Sequence, residues 1–198
     1  MHRHAASTAL LLTVGLLTAA CSTQQPKHTN LPSASADSCT KAEYHFTPTT
    51  KTTVLAFLSP AHTVTKGGTT LPEDLVPVQR VASSASSSAG TADAHRAYAE
   101  FVKQLGRDDV PPIDTAVGTA QGQVVSPTEP GTYALFRAPD VFTAQFTRTC
   151  GSSRTAAAYG TVTAWANPRD GDVQCGTTDS IPAHAALART LACTGMPT

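Results

Sequence analysis

The residues of this chain that can do chemistry are few, and their spacing sorts them. Ser38-Cys39-Thr40-Lys41 places a hydroxyl three residues before an amine. In that S-x-x-K order a lysine can take the proton from a serine nucleophile. Lys66-Gly67-Gly68-Thr69 is a loose counterpart of the K-T-G element that accompanies such a serine, but the S-D-N element is absent. A nucleophile also needs its base held within about 3 Å in a rigid setting, and Ser38 ends a polar, proline-containing segment. The match therefore assigns no catalytic residue. No G-x-S-x-G, H-E-x-x-H, P-loop or G-x-G-x-x-G pattern occurs either.

Four histidines lie in the expected folded region: His45, His62, His95 and His184. None stands four residues from another and no acidic cluster frames them, so neither a metal nor another cofactor is expected. A small envelope hydrolase remains the alternative reading. It requires a Ser or Asp to meet one of these histidines inside a cleft. For binding, Trp165, Tyr159 and Phe136 could form an aromatic patch. The competing place for Trp165 is the core, where large aromatics supply area that an alanine-rich chain lacks.

The cysteines are more informative. There are five, and an odd count leaves one over if the others pair as disulfides. Setting Cys21 aside leaves Cys39, Cys150, Cys175 and Cys193, an even set whose long spacings suit disulfides better than a zinc site. If strands follow in sequential order, those carrying Cys150 and Cys175 are two steps of ~4.8 Å apart. That exceeds the ~7 Å reach of a disulfide. That distance disfavours Cys150 with Cys175 and favours Cys39 with Cys150 and Cys175 with Cys193 over it, with Cys39 joined to Cys193 the alternative that would overturn this pairing.

These residues must be positioned by the elements around them. Segments 44–46 and 52–58 are β-rich and bounded by Pro48 and Pro60, so they read as strands. Residues 82–90, ASSASSSAG, read as a mobile low-complexity loop. Ala94, Ala97, Tyr98, Phe101, Val102 and Leu105 make a continuous helical stripe that Thr91 or Asp93 can cap and Gly106 can end. From Gly131 the pattern is that of a β-meander. Phe142, Ala144 and Phe146 face one way, Thr143, Gln145 and Thr147 the other, and a turn is expected at 167–171. A last helix opens at Pro182 with Leu187, Ala188, Leu191 and Ala192 inward. The expected fold is α+β: an antiparallel sheet of five to seven strands, with a meander in its C-terminal half, two packed helices and disulfides.

The N-terminus carries an address. Arg3 precedes an uncharged run over residues 5–17 and then Thr18-Ala19-Ala20-Cys21. The run is too short for a membrane span, which needs about 20 apolar residues, and has the length of a secretory signal. The stretch resembles the lipobox of bacterial prolipoproteins: an aliphatic residue, small residues, then the lipid-bearing cysteine. That resemblance implies cleavage before Cys21, acyl chains on its sulfur, and a protein held by lipid on the outer face of the cell membrane. The low lysine content and wealth of Ala, Thr and Pro are similar to those of actinobacterial proteins. The expected organisation is a signal peptide at 1–20, a disordered polar tether at 21–38 and one globular domain at 39–198. Fourteen basic residues balance fourteen acidic ones, with no basic stripe, so nucleic acid is not an expected partner. The expected function is a non-enzymatic, membrane-anchored module that binds a protein or small molecule or supports the envelope.

Overall fold

The computed structural model describes residue 39 and residues 41–119, 125–151 and 156–194. Residues 1–38, including Cys21 and Ser38, lie outside the described residues. The described residues belong to one compact unit, Ser33–Thr198, and none of their helices is long and apolar enough to cross a membrane.

Four short strands follow one another along one side of the sheet: β1 (Ala42–Phe46), β2 (Thr50–Thr53), β3 (Phe57–Leu58) and β4 (His62–Val64). All four pair antiparallel with a single long strand, β7 (Gly131–Cys150). They amount to one extended segment, broken at Pro48, at residues 54–56 and at Pro60. β5 (Val76–Pro77) adds to β3, and β6 (Ser84–Ser87) pairs with the outer edge of β8 (Ala156–Gln174). β7 and β8 form one hairpin of 20 and 19 residues, roughly 60 Å along the strands at ~3.3 Å per residue. The fold is thus α+β, with an antiparallel sheet of eight strands among the described residues and two helices.

The hairpin merges strands that the sequence pattern separates. Breaks are expected at Pro139 and at 167–171, yet both segments are continuous. The reason is a bulge. Ala138 pairs with Arg169 and Asp140 with Ala166, so Asn167 and Pro168 together oppose Pro139. A bulge leaves ladder positions unpaired, which is where proline is tolerated in a sheet. Asn167 takes a φ of 48°, in the left-handed region that asparagine tolerates better than most residues. Pro139 turns its carbonyl toward Val54 N, 3.0 Å away, on the side where the gap between β2 and β3 already interrupts pairing.

A second correction concerns residues 82–90. Instead of a mobile loop, they contain β6. Ala85 and Ser87 point inward, Ser84, Ser86 and Ser88 outward. Ladder bonds to β8 supply what serine's low strand preference does not.

Both helices cover the even-numbered face of β7. α1 (Thr91–Leu105) lays Ala97, Tyr98 and Phe101 over Phe142, Ala144 and Phe146. It ends at Gly106 in the left-handed conformation, φ 63°, as its sequence suggests. α2 (Ala183–Ala192) covers Ala134, Phe136 and Ala138. Its orientation differs from the expected one. Ala185 and Ala188 face the sheet, while Leu187 and Leu191 are 46% and 49% exposed. The helix carries two apolar arcs, 185/188/192 and 187/191, and periodicity alone does not choose between them. Leu55, Leu58 and Phe136 already fill the space beneath it, so the small arc packs there. On the odd face, Tyr133 and Leu135 pack with Val64 and Leu71, and Val141 packs with Ala56, Val81 and Val117.

The four cysteines form Cys39–Cys150 and Cys175–Cys193, with Cα atoms 5.3 and 5.6 Å apart. Cys150 and Cys175 are kept apart by the hairpin's length, since Cys150 ends β7 and Cys175 bonds back to Thr132 near its start. Residues 159–165 do form a strand, but they are the first part of β8, which runs on to Gln174 beside Cys175, so among the described residues no separate strand lies between the two cysteines.

The disulfides close segments of 111 and 18 residues. In the chain-entropy account, replacing both cysteines by alanine costs about 5 kcal/mol at the first bridge and about 3 at the second, read from urea unfolding midpoints. In the same assay Ala188→Leu overpacks the sheet and costs about 1–3 kcal/mol. Leu187→Ser stays within about 0.5.

Candidate functional site

The histidines are dispersed. His62 Nε2 lies 3.0 Å from Asp74 Oδ1 on the surface. No hydroxyl side chain among the described residues is bonded to that ring. His95 is exposed on α1, and His184 meets the Phe136 ring edge-on at the start of α2. Burial and the nearby Arg169 charge lower the His184 pKa, with Asp140 opposing them. His45 is exposed on β1. Lys66–Thr69 is a turn in which Thr69 Oγ1 donates to Lys66 O at 2.7 Å. Among the described residues no group of three or more His, Cys, Asp or Glu could hold a metal ion.

The aromatic trio does not assemble. Phe136 is buried under α2. Trp165 is half-buried against the Val81, Val117 and Val141 cluster, on the face away from α2, and donates Nε1–H to Thr115 O at 2.8 Å. Tyr159 stands alone at 70% exposure.

What the fold builds instead is an outward lattice on the odd face of the distal half of the hairpin. Three rows run across β1/β2, β7, β8 and β6. Register places His45, Thr147 and Tyr159 in one row, with Ser88 bonded to Tyr159. Thr47, Gln145, Thr161 and Ser86 form the next, and Thr50, Thr143, Thr163 and Ser84 the third. Neighbours are ~4.8 Å apart across the strands and nearly 7 Å apart along them. Ser86 Oγ and Thr161 Oγ1 are 2.9 Å apart. The first two rows line an open groove of about 820 Å³ whose described lining residues include no Asp, Glu, Lys or Arg.

The reverse of this lattice is pinned by a charge cluster. Asp93 and Arg148 are 0% and 1% exposed. Arg148 Nη1 and Tyr44 Oη donate to Asp93 Oδ1 at 2.5 and 2.7 Å, and Ser87 Oγ donates to Oδ2 at 2.5 Å. The cluster thereby joins α1, β7, β1 and β6. Burial pushes the Asp93 pKa up, but the Ser87 and Tyr44 hydroxyls and the Arg148 charge outweigh it and hold the carboxyl below its ordinary value. The Tyr44 phenol is pushed up to about 12 by burial and by Asp93. A second buried carboxylate, Asp140, sits at the bulge with Lys51 Nζ at 2.9 Å, Arg169 Nη2 at 3.0 Å and Thr53 Oγ1 at 2.8 Å.

Neither cluster is part of the sequence-based reading, though each of the first pair leaves a trace. Arg148 continues the inward parity of Phe142, Ala144 and Phe146. Asp93 stands four residues before Ala97 on the inward helix face, and it does not cap the helix, whose N-cap is Gly90 without a side-chain bond.

Removing one partner of a buried pair leaves the other charge uncompensated, so Asp93→Asn or Arg148→Met costs about 3–5 kcal/mol. The double variant costs clearly less than the two losses added, by denaturant unfolding. Asp93, with its lowered folded pKa, contributes stability that is complete above its unfolded value near ~3.9 and is lost as pH falls through the folded value. Tyr44 works in the alkaline range: the unfolded chain ionises first, so its contribution declines as pH rises from about 10 toward about 12. Tyr44→Phe flattens that decline, as a titration of the urea midpoint will read.

No known protein family, curated protein or solved structure matches this chain.

Proposed function

We propose that this chain is a lipid-anchored extracytoplasmic lipoprotein whose folded domain is a non-enzymatic binding module. The observation that carries the reading is the cysteine accounting. Cys39, Cys150, Cys175 and Cys193 are consumed by two disulfides, which suits an oxidising compartment. Cys21 is left at the end of the signal-like run, where its thiol is the nucleophile for lipid attachment. Residues 21–38 then serve as the spacer between the bilayer and the domain. Binding is favoured over hydrolysis because the groove on the open sheet face presents hydroxyl and amide groups. Among its described lining residues, no carboxylate accompanies His45.

The test is an intact-mass measurement on protein extracted from the membranes of cells that export it. The expected species begins at Cys21 and carries a diacylglyceryl adduct, and Cys21→Ser moves the protein to the soluble fraction. An unmodified Cys21 in a soluble mature chain overturns the anchor.

A further inference from the structure

The open face has a chemistry that narrows its ligand, and the following rests on the binding-module reading. Among the described residues the groove is lined by no Asp, Glu, Lys or Arg, so a charged ligand meets no counter-charge on these walls, and a phosphate, nucleic acid or acidic polymer is poorly matched. Its polar walls carry hydroxyls, one carboxamide and the His45 imidazole, groups that both donate and accept. The Gln145 amide, the Thr147 hydroxyl and the Tyr159 phenol, at its centre, make no hydrogen bond to other described residues. They are free to exchange water for a ligand.

The complement of such a surface is a neutral molecule bearing hydroxyls on all sides, repeated over several strand spacings. Tyr159 adds the second recognition element. Its ring is 70% exposed amid polar neighbours and has no packing role. A flat amphipathic ring of this kind suits a ligand with one apolar face and a polar rim. A pyranose presents both: C–H groups on its face and hydroxyls at its edge.

The platform is preorganised. Phe46, Phe146 and Val162 pack behind it under α1. Gly160 lets β6 and the Phe146 ring close in, since a Cβ there would lie 1.9 Å from Ser86 O and 2.6 Å from Phe146 Cζ. A rigid surface loses little conformational entropy on binding. We propose that the His45–Thr47, Gln145–Thr147 and Tyr159–Thr161 face binds a neutral polysaccharide, with one sugar ring stacked on Tyr159 and its hydroxyls bonded to Gln145, Thr147 and Thr161.

The test uses the full mature protein purified from exporting cells, whichever fraction holds it, in affinity electrophoresis. The gels contain a neutral β-glucan, a neutral α-mannan, the neutral polysaccharide of the host envelope, or polygalacturonate. Retardation by at least one neutral glycan is expected. Its affinity should change less than twofold between low and high salt, because no ion pairs are involved. Tyr159→Ala weakens it tenfold or more, Gln145→Ala several-fold, and Leu187→Ser on α2 not at all. Tyr159 is exposed, so thermal unfolding of Tyr159→Ala should match the parent and exclude misfolding. Retardation by none of the neutral glycans, equal retardation of Tyr159→Ala, or salt-sensitive binding to polygalacturonate alone overturns the proposal. The mass of Cys21 is a separate readout, so failure of the anchor and failure of glycan binding are told apart.

Discussion

Arg148 and Asp93 exchange a charged hydrogen bond in a place almost without solvent. Because neither charge has water to fall back on, each fixes the other. Around that bond converge the first turn of α1, the β7 strand, β1 through Tyr44 and β6 through Ser87. The apolar contacts of Phe101, Phe142 and Phe146 supply most of the burial in this half of the molecule, but such contacts tolerate sliding. The charge cluster adds directional bonds at one point where helix, edge strands and hairpin meet. The outward hydroxyl lattice is the other side of the same strands.

Asp140 does comparable work at the bulge. It receives Lys51 and Thr53 from β2 and Arg169 from β8, tying both neighbours to β7 where Pro139 interrupts the ladder. A two-stranded ribbon this long is not stable on its own. Here it is flanked along β7 by β1–β4, covered on one face by two helices, and stapled near each end by a disulfide. The low content of charged residues, 14%, fits this arrangement. Several of the charged side chains act inside or at the edge of the sheet, and much of the distal surface is left to serine and threonine.

Local patterns were legible to the extent that one element decides them. The α1 stripe, its end at Gly106 and the alternation of Phe142, Ala144 and Phe146 with Thr143, Gln145 and Thr147 all appear where the sequence places them, because each is a property of a single helix or strand. The serine-rich segment misled for the opposite reason. Its residues have weak intrinsic preference, and only β8 makes them a strand. Pro139 and Pro168 do not end their strands, because a proline forbids a ladder bond but does not say whether that bond is required.

By itself the sequence determined the class of fold, the even set of four cysteines beside Cys21, the inward stripe of α1 and the two-faced character of the distal β7 segment. Tertiary structure alone decided the merging of strands into one hairpin, the rotation of α2, the cysteine pairing and the meeting of Asp93 with Arg148. It also decided the groove, whose walls come from residues 45–47, 86–88, 145–147 and 159–161. The physical reason is range. Periodicity and caps act over a turn or a few residues, whereas a buried ion pair, a bulge opposite a proline and a lattice across four strands exist only once distant segments share a register.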